Sequence, residues 1–501
     1  MKTNIHINTV STYSAFVISR GIAFFSIPFV LAMLGKEVYG LVGFFMVVQG
    51  MLNILDVGIS GSVTREIAKR NTSDINLSTF NKIIKKVNVV YMLVATCILI
   101  FGFLLQEYIS EAWLKTTLDK NDVLVVLQYV LVSFTFLFYI NLPRSILVGL
   151  EKHVQLGVLN ILFSIAYTIL PIFIVYLTDN YIHFFLTQMI ASISICVCYC
   201  ILAYYYYPHK NVESIDKGSE GFSLRNFVMT SLSLSYISVL WIIVSNLDKL
   251  LLSNKISLSD FAPYSIAISV ATVLLSVISP LSQLVQPRLT NLYAQKDTIG
   301  AKSFITKAFC YFYVFFLPIG FIIHYYGDFL VFTWLKDLQL SNQVNLYLPW
   351  LVSGVIASLL VKFAFFILYA KGQLKMHTIV YTIHCMFLIP LMFYVVKTFE
   401  PVDAAKLFFF QNLFISIVWG GYVFYKNIPG FLTRILIPML LITCSYWFAT
   451  SELCILLKDR IGVYVSLSLC LFMMVIPAVF LLAFNRTLFS TKYFDMSSSK
   501  I

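Results

Sequence analysis

Charged side chains are scarce in this sequence, and several fall where charge is costly. Arg20 lies about eight residues into an apolar run at 12–34, roughly 12 Å below the surface at 1.5 Å per residue. Lys362 lies at a similar depth in the run 345–369, counted back from Lys371. A charge at mid-helix in a bilayer costs roughly 2.5–3.5 kcal/mol and usually faces a partner or a cavity. One cation in each half of the chain, at matched depth, suits a pair of anchors for an anionic group. Two plainer readings stay open: Arg20 pairs with Asp56, at comparable depth in the next run, and Lys362 snorkels to the interface.

The other candidates carry the same double reading. Arg144, near the end of a run, could bind an anion as cargo loads, although a bias of positive charge toward one side of the membrane explains it equally. Lys249 and Asp248 are adjacent and point about 100° apart on a helix, so they need not pair. Asp56 is a counter-ion, a proton-coupling carboxylate or a structural residue. His384 is of the side-chain type that ordinarily titrates near neutral pH, and serves either in coupling or as a hydrogen bonder between helices. Gln49, Asn53, Asn141, Asn160, Gln188, Gln411 and Asn412 could line a hydrated path, or join one helix to another.

No enzyme constellation accompanies them. The sequence has no GxxxxGK[ST] phosphate loop, so ATP is not the expected direct energy source. It has no HExxH and no GxSxG suggesting a nucleophile elbow. Nine cysteines fall mostly inside apolar runs, without metal-type spacing, and read as packing residues. The expectation is a protein that is not an enzyme and takes neither a cofactor nor a metal.

The elements that must position these residues are set by composition. Of 501 residues, 59% are hydrophobic and 12% charged, with a mean hydropathy of +0.87. A soluble domain is about 25% charged, so lipid must solvate most of this exterior. The net charge of +12 could suggest nucleic acid, but the basic residues fall in short clusters between apolar runs, such as Arg65, Lys69, Arg70, Lys82, Lys85 and Lys86. Such clusters hold loops in the cytoplasm, and no nucleic-acid partner is expected.

With roughly 20 residues needed to cross a bilayer, helices are predicted near 12–34, 38–62, 87–106, 122–147, 156–177, 183–206, 227–252, 262–286, 308–326, 345–369, 376–397, 405–425, 434–450 and 462–484. The fold class is therefore an all-α integral membrane protein with about 14 transmembrane helices. The lysine and arginine bias puts both termini in the cytoplasm. The polar stretch 208–226 divides the chain into a six-helix lobe at 1–207 and a second at 227–425, with two further helices and a tail at 426–501.

An internal repeat supports the division. Glu37-Val-Tyr39-Gly40, an apolar run and Thr64-Arg65 in the first half match Asp260-Phe261-Ala262-Pro-Tyr264, an apolar run and Pro287-Arg288 in the second. Parallel repeats about an axis along the membrane normal would frame a central cavity that opens to alternate sides.

The segments Leu34–Phe45, Ile54–Arg70 and Asn246–Ala267 resemble the Wzx-type O-antigen flippases, polysaccharide transporters of the MOP superfamily related to MurJ and MATE proteins. The resemblance implies two pseudo-symmetric six-helix bundles, MATE/MurJ-like, plus two C-terminal helices here. It implies a bacterial inner-membrane protein that moves undecaprenyl-diphosphate-linked oligosaccharide to the periplasmic leaflet by alternating access. Its implied partners are that lipid, membrane lipids, and the polysaccharide polymerase and chain-length regulator. Under it, Arg20 and Lys362 become a diphosphate clamp. The rivals are a MATE-type multidrug exporter, which characteristically uses intramembrane acids where this first helix offers Arg20, and a membrane-embedded polymerase or glycosyltransferase, which generally carries a larger periplasmic loop.

Overall fold

Apolar runs of this length must satisfy their backbone hydrogen bonds internally once in lipid, and helices are the result. The computed structural model of the chain describes residues 5–56, 60–61, 63–64, 67, 77–207 and 224–483, and among them every regular element is helical. The first helical stretch, Ile5–Leu55, breaks at Gly35, whose φ of 77° is open to glycine, into α1 (5–34) and α2 (36–55). Next come α3 (Leu77–Tyr108), α4 (Lys120–Gly149), α5 (His153–Thr178), α6 (Ile182–Tyr206) and α7 (Leu224–Lys255). The remainder are α8 (Leu258–Ala294), α9 (Thr298–Leu335), α10 (Leu338–Ala370), α11 (Leu374–Thr398), α12 (Pro401–Asn427), α13 (Leu432–Lys458) and α14 (Val463–Ala483). Eleven described stretches are long and apolar enough to cross a membrane. Separating α1 from α2 and adding the shorter apolar helices α8 and α14 gives the expected fourteen.

Some helices outrun the sequence expectation. The apolar run at 308–326 is only the middle of α9, which has 38 residues and is about 57 Å long, against a hydrocarbon core of about 30 Å. At its N-terminal end the helix continues through polar residues, Lys302 and Lys307 among them, whereas 327–335 stays mostly apolar after Asp328.

Proline shapes other helices from within. Pro171 in α5 follows a π-turn at Ile165–Ile169, and Pro438 in α13 follows one at Leu432–Leu436. Proline has no N–H for the carbonyl four residues back, and the wider turn accommodates its ring. In α5 that freed carbonyl belongs to Tyr167, and the Gln188 side chain of α6 donates to it at 3.2 Å. Gln188 thus completes a broken helix, a use that membrane burial demands.

The chain divides into two units, Met1–Ala262 and Pro263–Ile501. In the first, the turn after α3 is zipped to the turn between α7 and α8. Leu258 N donates to Lys115 O at 3.0 Å, Lys115 Nζ to Lys255 O at 2.7 Å, and Trp113 Nε1 to Ser253 Oγ at 3.2 Å. That seam joins α7 to the helices before it. The repeated acid of the sequence motif fixes a turn in both halves. Glu37 accepts from the Thr116 and Thr117 hydroxyls at 2.7 Å each, and Asp260 accepts from Ser257 Oγ at 2.6 Å. The linker expected at 208–226 lies outside the described residues as far as 223.

In the second unit, Phe309 of α9 packs edge-on against Phe363 of α10 and Phe431, with ring centroids 5.4 Å away in each case. The last two helices are docked on α9. Tyr325 donates to Glu452 at 2.8 Å, Tyr326 shares a hydrogen bond with Ser466 at 2.6 Å, and the fully buried Trp447 donates to Met474 O at 3.3 Å.

Candidate functional site

Packing of the first unit brings together candidates that are far apart in sequence. Arg20 on α1 and Arg144 on α4 are both exposed, and they are near enough to act on each other electrostatically. Arg144 also acts on Asp56 at the end of α2 and on Tyr199 of α6. Among the described residues neither arginine forms an ion pair. The Arg20 guanidinium lies over the Phe16 ring, 5.5 Å from its centroid, which holds it along α1 through cation–π attraction.

Asp56 does not make the pairing with Arg20 that the sequence leaves open. It is 3% exposed and accepts the hydroxyl of Tyr91, which is fully buried on α3. A buried carboxylate needs such donors, because an unmet charge in a low-dielectric interior is expensive. With Asp56 held inward, the two guanidiniums are left to face whatever binds this surface. Asn160 of α5 braces the arrangement: it accepts the Tyr199 hydroxyl at 2.9 Å, and Ser19, next to Arg20, donates to its backbone carbonyl at 3.3 Å. Asn141 lies one turn before Arg144, and its buried amide nitrogen has no hydrogen-bond partner among the described residues.

The Tyr91 contact predicts a specific cost. Tyr91→Phe keeps the ring and leaves the Asp56 carboxylate short of a donor, which costs about 1–3 kcal/mol for a buried group. A melting temperature of the detergent-purified variant unchanged from wild type contradicts that role.

Other candidates are placed elsewhere. Lys249 and Asp248 do meet, at 3.1 Å, with both side chains nearly buried, and Lys249 Nζ also donates to Ser245 O. Counting angles between neighbours misses this pair because the long lysine side chain curls back along its own helix. Gln188 serves α5, as described above. In the second unit, His384 Nε2 and Gln411 Oε1 are 2.9 Å apart, joining α11 to α12, and Asn412 Nδ2 donates to Phe408 O at 2.8 Å on its own helix. Gln411 and Asn412 are both buried by this packing. Lys362 is half-buried on α10 between the buried Val361 and Phe363. Gln49 is half-buried on α2, and the side chain of Asn53 lies outside the described residues.

Sequence reasoning passed over Tyr91 and Tyr199. Each is one of 30 tyrosines in an apolar chain, and only its hydrogen bond, from Tyr91 to Asp56 and from Tyr199 to Asn160, singles it out.

Comparison with known proteins bears on what such a site serves. Residues 5–292 match the family described as polysaccharide biosynthesis protein. A Shigella flexneri protein named "Putative O-antigen transporter" is 24% identical over 417 residues, covering 79% of this chain and 92% of the relative. Among solved structures, the lipid II flippase MurJ in an inward closed conformation superposes with a TM-score of 0.71 at 14% identity, covering 95% of this chain and 100% of that one. An inward-facing multidrug resistance MATE transporter of the MOP superfamily gives 0.63 at 13% identity, covering 84% and 98%. At these identities the solved structures establish the fold that is shared.

Proposed function

Because the chain belongs to the polysaccharide biosynthesis protein family, we propose that it is a flippase carrying undecaprenyl-diphosphate-linked oligosaccharide from the cytoplasmic to the periplasmic leaflet of a bacterial inner membrane. The observation that carries this reading is the Arg20–Arg144 pair: two exposed guanidiniums within electrostatic reach of each other, with Asp56, on which Arg144 acts, turned inward onto Tyr91. Like charges within electrostatic reach repel, and a bound dianion relieves the repulsion. Guanidinium suits the task because its planar fork binds phosphate oxygens two at a time and stays charged at every physiological pH.

A diphosphate and a sugar chain cannot cross hydrocarbon unaided, since each unsatisfied polar group costs several kcal/mol there. In the proposed cycle the arginines capture the diphosphate from the cytoplasmic leaflet, Asn141 offers its amide to an oxygen, and the prenyl tail stays in lipid. Alternating access then releases the headgroup on the other side. Lys362 is the candidate cation of the second half. Both termini are cytoplasmic in this reading, and the polymerase and chain-length regulator of the same polysaccharide are the expected partners.

The multidrug-exporter alternative shares the fold, but a cationic cargo calls for an accessible carboxylate where this unit presents arginine. Complementation separates the two. In an O-antigen strain lacking its own flippase, the chain is expected to restore surface polysaccharide and to leave drug sensitivity unchanged. Failure to restore it with several different repeat units, alongside a gain in drug resistance, favours the exporter.

A further inference from the structure

Three lysines converge at one end of the second unit. Lys302 lies in the first turns of α9, Lys371 follows the end of α10, and Lys426 lies in the last turn of α12. Among the described residues none of them forms an ion pair. Partial burial, and then the nearby ammoniums of Lys302 and Lys426, lower the pKa of Lys371 from its ordinary value. The Lys371 ammonium is tied down rather than free to move away: it donates to Asn427 Oδ1 and sits 5.1 Å above the Tyr293 ring.

A cavity of about 60 Å³ opens beside them. Its polar wall is Gln373, Lys426 and Asn427, the residue that holds Lys371; its apolar wall includes Met376, Trp419 and Tyr422. A buried water needs roughly 10–15 Å³ by this kind of measure, so the space takes about four such atoms, the size of a phosphate's oxygens. The mouth is apolar and open, with Met376 55% and Tyr422 48% exposed. Trp419 is buried and anchored, its indole N–H donating to His377 Nδ1 at 2.9 Å.

Helix C-termini favour a nearby lysine, which accounts for Lys426 and Lys371 one at a time. They do not account for three ammoniums within electrostatic reach and, among the described residues, outside any ion pair, or for a phosphate-sized space beside them that leads to exposed apolar surface. Basic pockets between helices at a membrane interface are suited to anionic headgroups. We infer that this end of the second unit is a binding site for the phosphate group of an anionic lipid, with the acyl or prenyl chain running out past Met376 and Tyr422. The inference rests on the proposed orientation only in assigning the site to the cytoplasmic leaflet.

Native mass spectrometry of the full chain, released from detergent after equilibration with equal amounts of phosphatidylglycerol and phosphatidylethanolamine, tests it. The expected result is preferential retention of phosphatidylglycerol, falling about fivefold for each lysine removed in Lys371→Gln and Lys426→Gln. Lys397→Gln, at the opposite end of α11, is expected to change nothing, and the double Lys→Arg variant to retain the lipid. Size-exclusion elution identical to wild type establishes that the variants are folded. Equal retention of the two lipids, or a double Lys→Gln variant that keeps phosphatidylglycerol, overturns the inference. Displacement of the lipid by millimolar inorganic phosphate also overturns it, assigning the site to the free anion. Preference for undecaprenyl phosphate over phosphatidylglycerol supports it and identifies the lipid. Because the readout is retained lipid and not transport, a failed complementation leaves this site standing, and loss of this site leaves the flippase reading untouched.

Discussion

Replacing both Arg20 and Arg144 with alanine is expected to reduce translocation on the order of a hundredfold or more, with normal protein level and melting temperature. Each charge-assisted hydrogen bond to an ionised oxygen contributes about 1.5–3 kcal/mol, so losing one from each arginine multiplies to a large effect. Stability should largely hold because both arginines are exposed and neither is in an ion pair among the described residues, and the buried Asp56, on which Arg144 acts, keeps the Tyr91 hydroxyl as its donor. Removing one repulsive charge can even stabilise the resting protein. The double Arg→Lys variant keeps the charge and loses the planar fork, and should fall between alanine and wild type. The measurement is the rate at which undecaprenyl-diphosphate-linked saccharide in proteoliposomes becomes accessible to a lectin added outside. A double alanine variant that translocates at the wild-type rate removes these residues from the mechanism. A lysine variant no better than alanine shifts the role from charge to geometry.

The sequence names both Arg20 and Arg144 as candidates, but it marks them unequally because of what each position costs. Arg20 stands at mid-run, where a charge must be explained, so the sequence alone marks it. Arg144 stands near a helix end, where a bias of charge across the membrane explains an arginine at no cost, and its closeness to Arg20 exists only once α4 packs beside α1. The fourteen helices were legible because apolar length is dictated by bilayer thickness. The start of α9 was not, since a helix leaving lipid no longer needs apolar residues, as Lys302 and Lys307 show. Asp56 was visible as an intramembrane acid, but Tyr91, which decides that it faces inward, carries no mark in an aromatic-rich chain. Polar residues show the same limit. Gln188, Gln411 and Asn412 look alike in sequence, yet one repairs a proline break, one bonds a histidine across two helices, and one bonds its own helix. Distinguishing wall from path requires knowing which carbonyl or ring each one meets.

Gly40→Val is expected to abolish the folded first unit. A Cβ at Gly40 would lie 1.9 Å from the carbonyl oxygen of Leu258 and 2.7 Å from its carbonyl carbon. Both are backbone atoms of the turn into α8, and neither can rotate aside. Ordinary contact begins near 3.4 Å, so α2 would have to retreat by more than 1 Å from a turn that is itself held by Leu258 N donating to Lys115 O. Overpacking a core costs about 1–3 kcal/mol when side chains can shift, and a clash with fixed backbone exceeds that range. Gly40→Ala already carries the clashing atom and should be severely destabilised too. Gly50, ten residues further along α2, has nothing within 4 Å of its would-be Cβ, so Gly50→Ala should be neutral or gain about 0.5–1 kcal/mol from helix propensity. Yield and melting temperature of detergent-solubilised protein read both outcomes. A Gly40→Val protein that purifies monodisperse with a wild-type melting temperature refutes the close approach of α2 to this turn.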